Sequence, residues 1–456
     1  MAVASSSSGA ERDAGSGLET EAERALRRRT LTLVLLTLTY FFSYMDRQIL
    51  AILLELIKAD LKLSDTQLGL LSGLAFAIFY AGLGIPVARL ADRSNRRNII
   101  AVSLALWSAM TVVCGVAQNF WQLLLARIGV GIGEAGSSPP SHSIIADLYP
   151  VEKRASAMAI YTLGVVLGGG FGTWIGAQLA DAYGWRVAIM AIGAPGILLA
   201  VIVRLFVVEP RRGQSEAARV VDSPSDSDAM PSMASAFGDM WRNRAARHLV
   251  CGVTLTSLIG YALVAFGLSY LQRSLGFSIT QAGSFGLIAA LLGTVSGVGG
   301  GRLADWSAKR WGMHAQSWMV AWLKVLALPF TLLFYLTDQP IVAVAAYGIQ
   351  ILFASSYLGP TFALLQGLAP MRMRATWAAI TLLVINMVGL GLGPTLIGVL
   401  SDLLVPWAGA KDSLRWALII MASVTPWAIF HYWRAGVALK RRQEDAAAVP
   451  PVASLT

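Results

Sequence analysis

Four ionisable residues stand where hydrocarbon is expected. Asp46 and Arg47 adjoin one another inside TLTYFFSYMDRQILAILLELI, residues 37–57. Arg127 and Glu134 are seven residues apart in RIGVGIGEA, residues 127–135, two helical turns that put both on one face. A charge at the bilayer centre costs about 2.5–3.5 kcal/mol even on a lenient insertion scale, so such groups mark binding or coupling sites by default. The available chemistry is proton exchange at the carboxylates and bidentate binding of a carboxylate or phosphate by the arginines. When all four are ionised their charges sum to zero, and protonating one carboxylate leaves the pocket positive. A nearby cation favours the charged carboxylate and desolvation favours the neutral one. An anion docking on an arginine weakens the first effect and so links anion binding to proton binding. Asp46 and Glu134 are therefore the expected proton-coupling groups. Arg47, Arg127, Tyr44 and Glu134 are the expected substrate-binding groups. The plainer readings are an Asp46–Arg47 ion pair that only locks helices, and an Arg127–Glu134 pair that only neutralises itself.

The elements that carry these residues follow from composition. The chain has 456 residues, 56% hydrophobic and 14% charged, with mean hydropathy +0.61. Soluble domains are about 45–50% apolar and about 25% charged, so this chain belongs in a bilayer. Twelve apolar spans recur, near 30–57, 66–90, 98–117, 119–148, 154–182, 186–208, 246–271, 280–304, 314–337, 340–368, 374–402 and 412–436. Runs of this length without period-2 alternation predict helices. The expected class is an all-α membrane protein of twelve transmembrane helices in two pseudo-symmetric six-helix halves, 30–208 and 246–437. A polar linker, 209–245, joins them. Residues 1–29 read as a disordered tail with no cleaved leader, and residues 438–456 as a second tail. Lys and Arg collect in the tails, the linker and alternate loops, which places both termini in the cytoplasm. The net charge of +10 comes from those loops, so no nucleic-acid partner is expected. Cys114 and Cys251 form no disulfide or metal pattern, and no nucleophile triad, metal cluster or nucleotide loop marks an enzyme or calls for a cofactor.

The halves repeat. ARLADRSNRR (88–97) aligns with GRLADWSAKR (301–310), and YPVEKRASA (149–157) with APMRMRATW (369–377), each pair at the same point of its half. Parallel six-span repeats with a site at their interface are a transporter architecture. The repeated loop G-x-L-A-D-R-x-G-R-R resembles the signature of the major facilitator superfamily, with Ala88, Asn95 and Ala308 standing where that pattern has glycine. Within residues 40–185, YMDR (44–47), RIGVGIGEA (127–135) and IIADLYPVEKRASAM (144–158) resemble the Spinster branch. That resemblance implies transport of lysolipids or sphingoid phosphates. The superfamily resemblance implies that the repeated loops clamp the halves in an outward-open state, which gives gating roles to Asp92, Arg93, Arg96, Asp305 and Lys309. Asp147, Arg154 and Arg374 fit the same cytoplasmic latch.

The C-terminal half is poor in buried charge and rich in aromatics, including Tyr261, Phe266, Tyr270, Tyr347, Phe353, Tyr357 and Phe362, with Gln350 and Asn386. Packing alone explains such a set. A charged first half facing an apolar second half also suits an amphipathic anion. His142 reads as a satisfied helix histidine, Glu55 as solvent-facing, and Lys324 stays unassigned. Glycine runs at 164–176 and 388–398 occupy matching places and allow close packing; in the superfamily such runs often accompany export. The expected protein is a monomeric, proton-coupled carrier of an amphipathic anionic lipid, surrounded by membrane lipids. It would lie in a plasma (bacterial inner) membrane, or a lysosomal one if eukaryotic. A carrier of small organic anions and a non-transporting lipid sensor are the competing readings.

Overall fold

A computed structural model describes residues 8–215 and 232–448. Residues 1–7, 216–231 and 449–456 of the expected tails and linker lie outside it. Helix α1 runs Ser8–Leu61, so the described part of the stretch expected to be a disordered tail, residues 8–29, is helical and continues into the first span. Helices α2 (Asp65–Ser72) and α3 (Leu74–Arg93) form the second span and α4 (Arg96–Val116) the third. Helices α5 (Phe120–Glu134) and α6 (Ser138–Leu148) form the fourth. The 56-residue α7 (Val151–Phe206) holds two spans that meet at Gly184, where φ 81° and ψ 162° leave the helical region.

A linker helix, α8 (Met233–Arg242), precedes α9 (Arg244–Arg273), α10 (Ile279–Trp311) and α11 (His314–Leu336). The tenth span is α12 (Pro340–Ala354) with α13 (Leu358–Leu368). A 3-10 turn at Met371–Met373 leads to α14 (Arg374–Val384), a π-helical stretch at Ile385–Leu392 and α15 (Gly393–Ala422). α15 turns at Gly409 (φ 76°, ψ 163°), and α16 (Thr425–Ala448) completes the described bundle.

Eight helical runs among the described residues are long and apolar enough to cross a membrane. Two of them, Val151–Phe206 and Met371–Asp445, hold two passes each, folded at Gly184 and Gly409. The two remaining spans, α1 and the α5–α6 pair, are those whose apolar runs Asp46, Arg47, Arg127 and Glu134 interrupt. Twelve spans result.

The repeat reaches beyond the loops. α5 and α6 have 15 and 11 residues, and so do α12 and α13. Ser64 with Gln67 and Ser278 with Gln281 form matching capping boxes at the start of the second and eighth spans. The glycine runs seat equivalent helices. A Cβ at Gly168 would lie 2.2 Å from the Phe41 carbonyl oxygen, and one at Gly172 would lie 2.8 Å from Met45 Cα, so α7 closes on α1 backbone to backbone. In the second half a Cβ at Gly393 would lie 2.7 Å from the Leu258 carbonyl oxygen of α9. This packing fixes the turn of α1 that carries Asp46 and Arg47.

The two halves meet at one end of the bundle, the end away from the tails, called here the far end. A Cβ at Gly69 would lie 2.5 Å from the Pro394 carbonyl oxygen, and one at Gly398 would lie 2.1 Å from that of Asp65. Cross-half hydrogen bonds and ion pairs among the described residues gather there too. Arg273 bonds to Glu55 at 2.7 and 3.1 Å and to Asp65 at 2.6 and 2.8 Å. Ser401 donates to Asp65 at 2.6 Å, and Asp402 accepts from the backbone N–H groups of Asp65 and Thr66 at 3.0 and 2.8 Å. Glu55, expected to face water, is thus an ion-pair partner: the last turn of its span packs against α9 rather than projecting into solvent.

Candidate functional site

The site starts from α1, where Ser43, Asp46 and Arg47 lie three and four residues apart and so share a helix side. α5 ends at Glu134, and there its carboxylate meets α1. Glu134 Oε2 accepts from Ser43 Oγ at 2.9 Å and from Arg47 Nε and Nη2, each at 2.6 Å. The Arg47 guanidinium is also ringed by aromatics, with Tyr44, Phe76 and Tyr80 at 5.0, 4.8 and 4.5 Å. Asp46 turns to α4, and its carboxylate accepts from the Thr111 hydroxyl. Neither plain pairing expected from the sequence forms. Asp46 does not pair with Arg47, and Glu134 is held by Arg47 instead of Arg127.

Arg127 is the exception in this group. It is only 4% exposed, its guanidinium lies 5.5 Å from the Phe76 ring centroid, and it makes no hydrogen bond or ion pair among the described residues; its Nε is buried without an acceptor. Buried polar groups ordinarily find partners, and a buried guanidinium more so. Asp46 Oδ1 and Glu134 Oε1 are likewise buried without a donor.

Arg127 lines a cavity of about 570 Å³ between the halves. Tyr44, Arg47, Phe76 and Arg127 form one wall, and Tyr261, Val264, Ala265, Leu390 and Pro394 form the other. The charged wall comes from the first half and the apolar wall from the second. Leu390 belongs to the π-helical stretch, an element that recurs at functional sites.

The other expected residues lie elsewhere. His142 is exposed on α6 with its ring edge on Tyr161. Lys324 is 5% exposed, with Nζ 5.0 Å from the Tyr357 ring centroid. Tyr347 stacks in a cluster with Phe285 and Phe334, and Tyr270 donates to the Phe334 and Tyr335 carbonyls, so these two are packing residues.

Of the expected gate, Asp92, Arg93, Asp305 and Lys309 are exposed at the tail end. Arg96 is buried and binds Asp147, Glu209 (2.8 Å), Ser143 (2.8 Å) and the Pro210 carbonyl (2.8 Å), all within the first half and the start of the linker. Arg154 donates to the Ala146 carbonyl and Ser215 Oγ. Among the described residues Arg96 and Asp147 brace one half internally. The far-end group of Glu55, Asp65, Arg273, Ser401 and Asp402 escaped the sequence reading. The available signal was Arg273, a basic residue on the side where basic residues are scarce.

A family model described as Major Facilitator Superfamily matches residues 36–394. The chain belongs to the major facilitator superfamily. It is a membrane transporter by family, not an enzyme, and its twelve-helix bundle is the major facilitator fold. This major facilitator protein is 34% identical over 403 residues to an "MFS-type efflux pump" of Mycolicibacterium smegmatis, covering 88% of this chain and 90% of that one. It is 31% identical over 238 residues to the "Sphingosine-1-phosphate transporter SPNS2" of Danio rerio, covering 51% of this chain and 45% of that one. Among solved structures it superimposes on a bacterial homologue of the human lysosomal transporter Spinster, in an inward-facing and occupied conformation. The TM-score is 0.79 at 29% identity, covering 90% of this chain and 98% of that one.

Proposed function

We propose that the protein is a secondary carrier that moves an amphipathic anionic lipid, of lysophospholipid or sphingoid-phosphate type, by proton-coupled alternating access. One observation carries this reading: the buried Arg127 guanidinium faces the cavity without an acceptor, opposite a wholly uncharged wall. A phosphate or carboxylate head docks on Arg127, where the planar fork can bind it bidentately. The tail lies along Tyr261, Val264, Ala265, Leu390 and Pro394. Asp46 and Glu134 are the proton acceptors. Protonating Glu134 weakens its hold on Arg47 and turns that guanidinium toward the anion as well.

The basic tails and loops support a cytoplasmic tail end. Contact at the far end then corresponds to a carrier open to the cytoplasm, in keeping with the inward-facing state of the bacterial Spinster homologue. The efflux pump among its relatives supports export, and the default location is the plasma or bacterial inner membrane.

The test is uptake of labelled lysophospholipid into proteoliposomes, with and without a pH gradient. Wild type should take up lipid faster with the gradient. Arg127→Gln should lose uptake, and Asp46→Asn should keep binding while losing the response to the gradient. Wild-type flux indifferent to pH would remove the proton. No lysolipid flux alongside flux of small organic acids would remove the lipid and keep the carrier.

A further inference from the structure

A second cavity lies at the tail end, where the start of α9 meets α16, and shares no residue with the central one. Its volume is about 840 Å³. Arg244 and His248 line it from α9, and Arg434, Arg441, Arg442 and Asp445 from α16. The four guanidiniums meet a single carboxylate. Positions 434, 438, 441 and 445 recur every three to four residues, so α16 turns one face into the cavity. His248 Nδ1 is 3.0 Å from His431 Nδ1, so one ring donates and the other accepts. The general excess of basic residues at this end explains their presence but not their convergence into a concave site.

The surface beside the cavity is apolar and aromatic. One to two turns back along α16, Trp427, Phe430 and Trp433 are 64%, 48% and 42% exposed, and the Arg434 guanidinium lies 6.0 Å from the Phe430 ring centroid. Exposed tryptophans mark the level where headgroups meet acyl chains. A basic pocket between helix ends at that level has the chemistry of a headgroup site.

We propose that this cavity binds the phosphate headgroup of an anionic two-chain phospholipid from the surrounding leaflet, its acyl chains lying over Phe430 and the neighbouring tryptophans. The arginines supply bidentate donors to the phosphate, and the lipid bridges the first turn of α9 to the last turns of α16. The site is independent of what the central cavity carries.

The test is native mass spectrometry of the full-length protein titrated with phosphatidylglycerol or phosphatidylcholine. Each basic residue near an anionic headgroup contributes about fivefold in affinity. Arg434→Gln/Arg441→Gln/Arg442→Gln should therefore weaken phosphatidylglycerol binding roughly 100-fold. A control removing the same charge at the same end, Lys153→Gln/Arg211→Gln/Arg310→Gln, at exposed positions outside the cavity, should leave it unchanged. If the triple variant does not fold, the exposed pair Arg441→Gln/Arg442→Gln replaces it, with a loss of roughly 25-fold expected. Equal losses in variant and control, or none in either, would overturn the site. So would equal affinity for phosphatidylcholine. Displacement of the lipid by inorganic phosphate at equal concentration would overturn the acyl-chain contact and leave a free-phosphate site.

Discussion

Glu134 sets how much positive charge the central cavity presents. Its Oε2 takes two N–H groups of Arg47 at 2.6 Å, leaving Arg127 as the guanidinium available to an anion. Replacing it by glutamine, which keeps the shape, releases Arg47 from a charge-assisted pair. Such a bond to a charged group contributes about 1.5–3 kcal/mol. Glu134→Gln should thus bind a lysophospholipid about tenfold or more tightly while losing gradient-driven uptake. Equilibrium binding in detergent, run beside proteoliposome flux, separates the two. Weaker binding in Glu134→Gln would show that the carboxylate orients Arg47 for the anion instead of withholding it. The four charges were legible in the sequence because each is costly inside a bilayer. Their partners were not. Spacing alone offers Arg127 to Glu134, yet the end of α5 carries Glu134 to α1, and α1 turns Asp46 to Thr111 on α4. Helix rotation and contact decide those partners, and both are tertiary.

At the scale of elements, glycine does two jobs that sequence does not tell apart. Gly172 packs α7 onto α1 within one half, where a Cβ would lie 2.8 Å from Met45 Cα. Gly398 packs α15 onto α2 across the halves, where a Cβ would lie 2.1 Å from the Asp65 carbonyl oxygen. Under the alternating-access proposal the first contact persists whichever way the carrier faces, and the second opens when the halves part. Gly172→Val should therefore cost about 1–3 kcal/mol of folding stability as overpacking, seen as a lower melting temperature in detergent. Gly398→Val clashes in one state only, and the protein escapes by populating the other. It should melt close to wild type but transport slowly. Equal loss of melting temperature in both would make the cross-half contact a fixed part of the fold. The spans and the two-fold repeat were readable from hydropathy and from the paired loops, because bilayer thickness and basic loops constrain them directly. The helical start of α1 at Ser8, the breaks in the fourth and tenth spans and the π-helical stretch were not, since local backbone geometry leaves no hydropathy signature.

For the whole molecule, the alternating-access proposal gives the two ends opposite parts of one cycle. At the far end Arg273 bridges Glu55 and Asp65, Lys58 adds a 2.5 Å pair to Asp65, and Asp402 caps the first turn of α2 from the other half. Two cations thus balance three carboxylates. Removing Arg273 leaves Lys58 against all three, and breaking such a pair costs about 3 kcal/mol or more. That is enough to shift the ratio of the two states roughly 100-fold toward the one open at the far end. Spin labels at Lys62→Cys and Lys411→Cys, in a Cys251→Ser background, should report a longer far-end distance in Arg273→Ala. At the tail end Asp92 is exposed and makes no pair among the described residues, as a latch for the opposite state requires. Asp92→Asn should then leave the far-end distance short and deplete the open population. The two substitutions act on one equilibrium from opposite states, so Arg273→Ala/Asp92→Asn should return toward the wild-type distribution, with the two shifts adding because the sites share no contact. A double variant as open as Arg273→Ala alone would show that Asp92 has no part in holding the opposite state, and that the far-end network by itself sets which way the carrier faces.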